Sequence, residues 1–313
     1  QKQGRLDEAE ASYREAIELN PQIPRASQNL VELLTSYTPQ GGAYNPIVKV
    51  DQEIKKISLK KNTLGIISDD EIIELYCESL SIIKRYNLEL ETELSQVYRR
   101  NSVDLNCKRH KAIFEEFSVI PEFCFGCYKV QVEPRSILEL IKLFIVFDQI
   151  NLVENNTRKC MIEMRPEISG FYKGLIYCSS LDEAYQIADY LEPILKENIA
   201  YELSTRVKRG CSEYELSFPK FSKINRNGEQ LMNYNETWKP IEGDYDKVNP
   251  ITFNKVITPN LSGLNLGDIL IIRNWIDYAK GIEDPSVHAL NQNKIFSTAM
   301  FNAAKRRLAT YPR

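Results

Sequence analysis

Two histidines, His110 and His288, are all that the 313 residues contain, so a Ser-His-Asp triad or a histidine-rich metal site has almost nothing to be built from. Also missing are a Gly-x-x-x-x-Gly-Lys phosphate loop, a dinucleotide glycine fingerprint and a Gly-x-Ser-x-Gly nucleophile elbow. Their absence removes the usual signatures of nucleotide-dependent and hydrolytic enzymes. No apolar run approaches the ~20 residues that span a bilayer, and the charged opening "QKQGRLDEAEASYREAIELNP" is unlike a signal peptide. A cytoplasmic protein with no membrane partner is expected. A large excess of one charge is lacking too: a net charge of −3 and a pI near 5.7 give no global attraction to nucleic acid, so such binding would need a local patch.

What is present is a chain 43% hydrophobic and 27% charged, long enough for about two domains and a sizeable core. The seven cysteines are Cys77, Cys107, Cys124, Cys127, Cys160, Cys178 and Cys211. An odd number without an export signal favours thiols or metal ligands over a disulfide framework.

Near the start, Ala9, Tyr13, Ala16 and Pro21 fall at A-x3-[YF]-x2-A-x4-P spacing, with Gly4 before them. Small alanines let paired helices approach, Tyr13 fills the gap between repeats, and Pro21 stops the helix. Residues 3–37, which continue into "ASQNLVELLTSY", thus resemble one and a half tetratricopeptide repeats. The resemblance implies upstream repeats outside this chain and a protein partner bound through them, the remnant here acting as a cap or connector. Residues 38–67 read as a polar linker whose lysines form a solvated face. Within 68–120, Ser68 and Glu71 form a capping box that opens the helix "DDEIIELYCESLSIIKRY", with Cys77 on its apolar stripe. A second helical segment is expected at about Glu89 to Arg100.

From 121 to 218 the periodicity predicts strand, helix, two strands, helix and strand. "CYKVQVEP" alternates like a half-buried strand, "RKCMIEMRP", "GFYKGLIYCS" and "IAYELSTRVK" supply the others, and two helical segments intervene. That βαββαβ order is the ferredoxin-like sandwich, an α+β fold with two helices on one sheet face. Residues 219–313 are an irregular segment followed by two amphipathic helices, "LNLGDILIIRNWIDYAKG" and "NKIFSTAMFNAAKRRLATYP", expected to pack on the sandwich or the upstream helices.

Two sites follow. Cys107 and His110 form Cys-x2-His, and Cys124 and Cys127 form Cys-x2-Cys, a spacing that lets both side chains of each pair reach one ion. In a ferredoxin-like sheet the fourth strand lies antiparallel to the first, so Cys211 just past it returns toward Cys124 and Cys127, while Cys160 and Cys178 are expected at the opposite edge as core thiols. A Cys3His set would hold zinc, and four thiolates would hold zinc or an iron–sulfur cluster. Inert buried thiols are the alternative, and a redox pair is disfavoured because Cys124 and Cys127 precede a strand rather than open a helix. Lys108, Arg109 and Lys111, with Lys208 and Arg209, would surround this edge with a field that favours thiolates. Alternation also gathers Lys129, Gln131, Glu163, Arg165, Lys173, Glu202, Ser204 and Arg206 on the sheet face away from the helices. Of these Lys129, Arg165, Lys173 and Arg206 are candidates to hold an anionic ligand, against the plainer expectation of a solvated face.

"YKGLIYCSSLDEAYQIADYL" resembles part of an RNA-recognition motif, but Leu175 stands where one stacking aromatic would be and Tyr177 alone is a poor platform, so nucleic acid is disfavoured. The leading expectation is a repeat-tethered interaction or scaffold module with a Cys-rich structural metal site. The alternatives are a metal- or thiol-dependent enzyme acting on an anionic substrate at the cationic sheet face and, third, single-stranded RNA binding on the sheet.

Overall fold

The computed structural model describes residues 5–20, 24–35, 37–39, 45–57, 67–99, 101–102, 105–225, 230–250, 256–257, 264–290 and 294–311. Gly4, Pro21, Lys60 and Lys61 lie outside them. The chain is mixed α/β, with a five-stranded antiparallel sheet at its centre. Four helices come first: α1 (Leu6–Leu19), α2 (Pro24–Leu34), α3 (Pro46–Lys56) and α4 (Asp69–Arg85). Then follow β1 (Gln96–Arg99), α5 (Cys107–Phe117), β2 (Tyr128–Val132), α6 (Ile137–Gln149), β3 (Arg158–Ile162) and β4 (Tyr172–Cys178). The remainder is α7 (Leu181–Asn198), β5 (Thr205–Arg209), α8 (Lys239–Val248), α9 (Leu266–Gly281) and α10 (Thr298–Thr310). Single helical turns at Glu122–Phe125 and Ser212–Ser217 flank the sheet.

The strand order is β1-β3-β4-β2-β5, antiparallel at every step. Helices α6 and α7 pack on one face. Nearly every side chain of α6 is buried, because it lies between the sheet and a further layer made of α4 and α9; a helix covered on both sides must be apolar all round. Gly174 on β4 permits the close approach: a Cβ there would stand 2.4 Å from Leu143 Cδ2 and 3.0 Å from the Phe147 ring. Arg158, 1% exposed, reaches from β3 to the end of α6 and donates to the carbonyls of Phe147 and Ile150, a cation on the carbonyls that a helix C-terminus leaves open.

The helix starts follow local chemistry. Ser68 Oγ accepts from the Glu71 amide at 3.2 Å and Glu71 Oε2 accepts from the Ser68 amide at 2.9 Å, the reciprocal cap anticipated above. The Asn265/Asp268 pair does the same for α9, while Ser136 and Ser180 accept the Glu139 and Glu183 amides at the starts of α6 and α7. One hydrophobic core runs from Leu30 to Ala304, with α9 touching α2, α3, α4, α6, β1, β3 and α10.

Two stretches differ from expectation. Within 38–67, the supposed linker, lies α3: Ile47, Val48, Val50 and Ile54 share one buried face, Pro46 occupies the first turn and Asn45 caps it, so the lysines hid an amphipathic helix by dominating the composition. Within 89–100, expected to be helical, lies strand β1, whose Val97 and Arg99 are buried while it pairs with β3 from Gln96↔Met161 to Arg99↔Arg158. Tertiary pairing overrode a helix propensity carried mostly by glutamates.

Candidate functional site: a cationic cleft on the sheet

Side chains alternate along a strand, and register fixes which of them share a face. Lys208, Lys129 and Tyr177 are cross-strand neighbours in one row, and Gln131, Leu175 and Lys159 in the next. All point away from α6 and α7, as the alternation predicted for Lys129, Gln131 and Lys173, yet the face is not solvated. Lys129, Gln131 and Lys173 are 4%, 5% and 4% exposed, and β2 is buried on both sides. A second, smaller core of Ile120, Cys124, Tyr214 and Phe221, with Phe125 and Trp238 packed against it, rises beside the sheet and leaves a cleft of about 450 Å³.

The floor of the cleft is cationic. Lys129 Nζ donates to Gly210 O at 3.0 Å and to Cys211 Sγ at 3.2 Å, and sits 5.1 Å from the centre of the Tyr177 ring. Lys173 Nζ lies 3.1 Å from Glu163 Oε2, which also takes Arg165 Nη2 at 2.7 Å; Arg165 bridges on to Glu213. Lys208 Nζ donates to Ser212 Oγ at 2.7 Å. The Lys159 ammonium lies over the Tyr98 ring, 5.4 Å from its centre. Among the described residues neither Lys159 nor Lys208 has a carboxylate partner. Burial, reinforced by the neighbouring Lys129 charge, pulls both amines down to about 8, and burial also lowers Lys173. For Glu163 burial works upward, but the Arg165 hydrogen bond and the Lys173 charge outweigh it and hold the carboxyl at about 2.

The five cysteine-edge candidates, Cys107, His110, Cys124, Cys127 and Cys211, all line this cleft. The antiparallel neighbour argument placed Cys211 correctly: Tyr128 pairs with Arg209, and Gly210 N donates to Cys127 O at 2.8 Å. Three of the five side chains meet partners outside the set, however. His110 stacks on Phe123 with centroids 5.1 Å apart, Cys124 Sγ lies 3.4 Å from Tyr214 Oη, and Cys211 meets Lys129. Among the described residues no group of three or more His, Cys, Asp or Glu is placed to hold one metal ion. Desolvation pushes Cys107 up to about 11 and raises Cys124 and Cys127 as well, so burial outweighs the cationic field expected to favour thiolates. Two of the residues expected to supply that field are spent elsewhere. Arg109 pairs with Glu242 and Asp246 of α8 at 3.0 and 2.6 Å, and Arg209 is held between the Phe125 and Phe221 rings.

Cys160 and Cys178 are buried core thiols, but Cys178 pairs with Tyr128. It therefore sits at the same end of the sheet as Cys127, not at the opposite edge, because the end of β4 meets the start of β2. Arg206 is exposed and does not line the cleft, and Glu202 turns to Arg135 at 3.1 Å. Sequence reasoning missed Lys159, and gave Lys208 to the cysteine edge without placing it on the sheet face. The signal was available, since Lys159 and Met161 share the parity of Glu163 and Arg165, and Lys208 that of Arg206.

The chain matches no family model, no curated protein and no solved structure. Among the described residues no helix is long and apolar enough to cross a membrane.

Proposed function

We propose that the chain binds a small anionic ligand, one bearing phosphate or carboxylate groups, in the cleft on the helix-free face of its sheet. The observation that carries this reading is the pair Lys159 and Lys208. Two amines, one half-buried and one buried, have no ion-pair partner among the described residues, in a cleft also lined by Lys111, Lys129, Lys173 and Arg165 against Glu163 and Glu213. Desolvating a cation is costly unless it is paired. An anion seated among these groups would supply the missing pairing, each contact at 4 Å amounting to about 4 kcal/mol at the effective dielectric of partly buried sites before desolvation is subtracted. The cleft is also of a size that suits a metabolite.

The scaffold carrying the site reads as a ferredoxin-like sandwich extended by β1. Support comes from the order β3-β4-β2-β5 together with helical crossovers after β2 and β4. The packed pair α1 and α2 is in keeping with a repeat-derived connector, but one and a half repeats have no concave groove for a protein segment, so the cleft takes precedence as the working site.

Thermal unfolding and calorimetry with inorganic phosphate, pyrophosphate and citrate at low ionic strength test the proposal. Ligand at 100 times its Kd stabilises the native state by about 2.7 kcal/mol, so the Tm should rise by several degrees. Lys159→Gln and Lys208→Gln should each reduce that rise and Arg206→Gln should not. A Tm unmoved by all three anions at millimolar concentration would sink the reading.

A further inference from the structure

Lys111 of α5, which also lines the cleft, pairs with Glu115 on its own helix; the four lysines that rise from the sheet are not equivalent. Lys129 is tied to Gly210 O and Cys211 Sγ, Lys173 to Glu163, and Lys208 to Ser212 Oγ. Lys159 alone among them has neither a hydrogen bond nor an ion pair among the described residues; its head group has only the face of the Tyr98 ring. It projects from β3 beside the middle of the cleft and is half-buried, so it is reachable from solvent. A neutral amine so placed has a free lone pair, and its cationic neighbours are positioned to receive an anionic group on the molecule it would attack.

We propose that Lys159 is a nucleophile that forms a reversible imine with an anionic carbonyl compound, a 2-oxo acid or an aldehyde bearing an anionic group, seated in this cleft. The inference rests on the anion-binding reading and names its substrate class. In the step, the amine lone pair forms a C–N bond to the carbonyl carbon while the C=O π pair moves to oxygen, and one of the two protons on the now cationic nitrogen passes to that oxygen. The resulting carbinolamine loses its hydroxyl and the nitrogen's proton as water, leaving C=N. One amine and one carbonyl give one imine and one water, and no oxidant or reductant is needed.

Several groups bear on the Lys159 amine. Lys129 faces it from β2, Tyr98 from β1, Cys107 from α5 and Cys211 from the turn after β5, while Glu163 and Arg165 follow it on its own segment. Glu163 is the carboxylate of this set, and it is already shared by Arg165 and Lys173. The neighbourhood is therefore desolvated and net cationic, the two conditions that enlarge a lysine's neutral, nucleophilic fraction. Burial and Lys129 accordingly bring the amine to about 8. On protonation the iminium keeps the single positive charge of the ammonium it replaces, so the bound anion keeps its pairing.

Pyruvate with cyanoborohydride at pH 7, followed by peptide mapping, tests the assignment on the whole chain. An amine titrating near 8 has on the order of a hundred times more neutral form at pH 7 than an ordinary lysine; with its lower basicity discounted, Lys159 should be labelled about ten-fold faster than the exposed Lys220. Inorganic phosphate should slow that labelling. Lys159→Arg should abolish the fast label and retain the phosphate-induced rise in Tm, and Lys220→Arg, outside the cleft, should leave the fast label in place. If phosphate raises the Tm but Lys159 is labelled no faster than Lys220, or the fast label maps to Lys208, the imine is overturned and anion binding stands. If dihydroxyacetone, a neutral ketone, labels Lys159 as fast as pyruvate and phosphate does not compete, the anionic substrate class and the reading beneath it are overturned together.

Discussion

Glu163 and Lys173 face each other across β3 and β4, Oε2 to Nζ at 3.1 Å, with side chains only 1% and 5% exposed. Each holds the other's charge in a place water barely reaches, and Arg165 closes the carboxylate from its other side. Breaking a buried pair from one side leaves an uncompensated charge, a loss of about 3–5 kcal/mol. Glu163→Gln is therefore expected to lower the unfolding free energy from urea titration by that order while tightening phosphate binding, since the cleft loses one of its carboxylates. Chemical denaturation and calorimetry on the same variant check both halves.

The same carboxylate makes stability depend on acid. Its folded pKa, about 2, lies below the ordinary value of 4.5, so the unfolded chain takes up the proton first as pH falls. The contribution is complete above roughly pH 4.5 and is lost between there and about pH 2. Urea midpoints measured from pH 6 to pH 3 should fall more steeply for the wild type than for Glu163→Gln; parallel curves would show that the carboxylate is not held down.

At Gly174 the absent side chain is what lets α6 lie against the sheet, since a Cβ would meet Leu143 and Phe147. Both neighbours sit in the packed core, where added volume typically costs about 1–3 kcal/mol. Gly174→Ala should reduce the unfolding free energy by that order and the Tm with it, and trimming the neighbour in the double variant Gly174→Ala, Leu143→Val should recover part of the loss.

Thiol titration offers a test that needs no variant. Cys124, Cys160 and Cys178 are buried, while Cys77, Cys107, Cys127 and Cys211 are not. A disulfide reagent at pH 8 should leave those three unmodified in the native protein and reach all seven in denaturant.

Ser68 accepts the Glu71 amide at the start of α4. Removing such a cap costs about 1 kcal/mol, so Ser68→Ala should lower the unfolding free energy by that much and leave phosphate binding unchanged.

How much of this was legible in the residues depended on the range of the interactions. Short-range signals were clear: the Ser68/Glu71 box and the strand from Tyr128 to Val132; the approach of Cys211 to Cys127 came instead from the rule that pairs the first and last strands of the βαββαβ order. Strand β1 was not, because Gln96–Arg99 is only four residues long and the partner that makes it a strand lies on β3, some sixty positions later. The burial of Lys129 and Lys173 was equally hidden, since the second core rising beside them is assembled from segments as far apart as Ile120 and Trp238. Lys159 lay within reach of the alternation argument, but a lysine between Arg158 and Cys160 looks like any solvated strand position until its neighbours are known to be cations.

Helix α9 gives this architecture an order in time. The segment that leads into β1 has its backbone carbonyls satisfied by α9: Asn274 Nδ2 donates to Thr92 O and Leu94 O, Trp275 Nε1 to Ser95 O, and Arg273 to Leu90 O. During synthesis those carbonyls wait until residue 275 has left the ribosome, although the sheet strands they adjoin are complete by residue 209. The stretch that leads into Tyr98, the ring beneath the Lys159 amine, therefore keeps open carbonyls at the sheet edge until α9 has emerged.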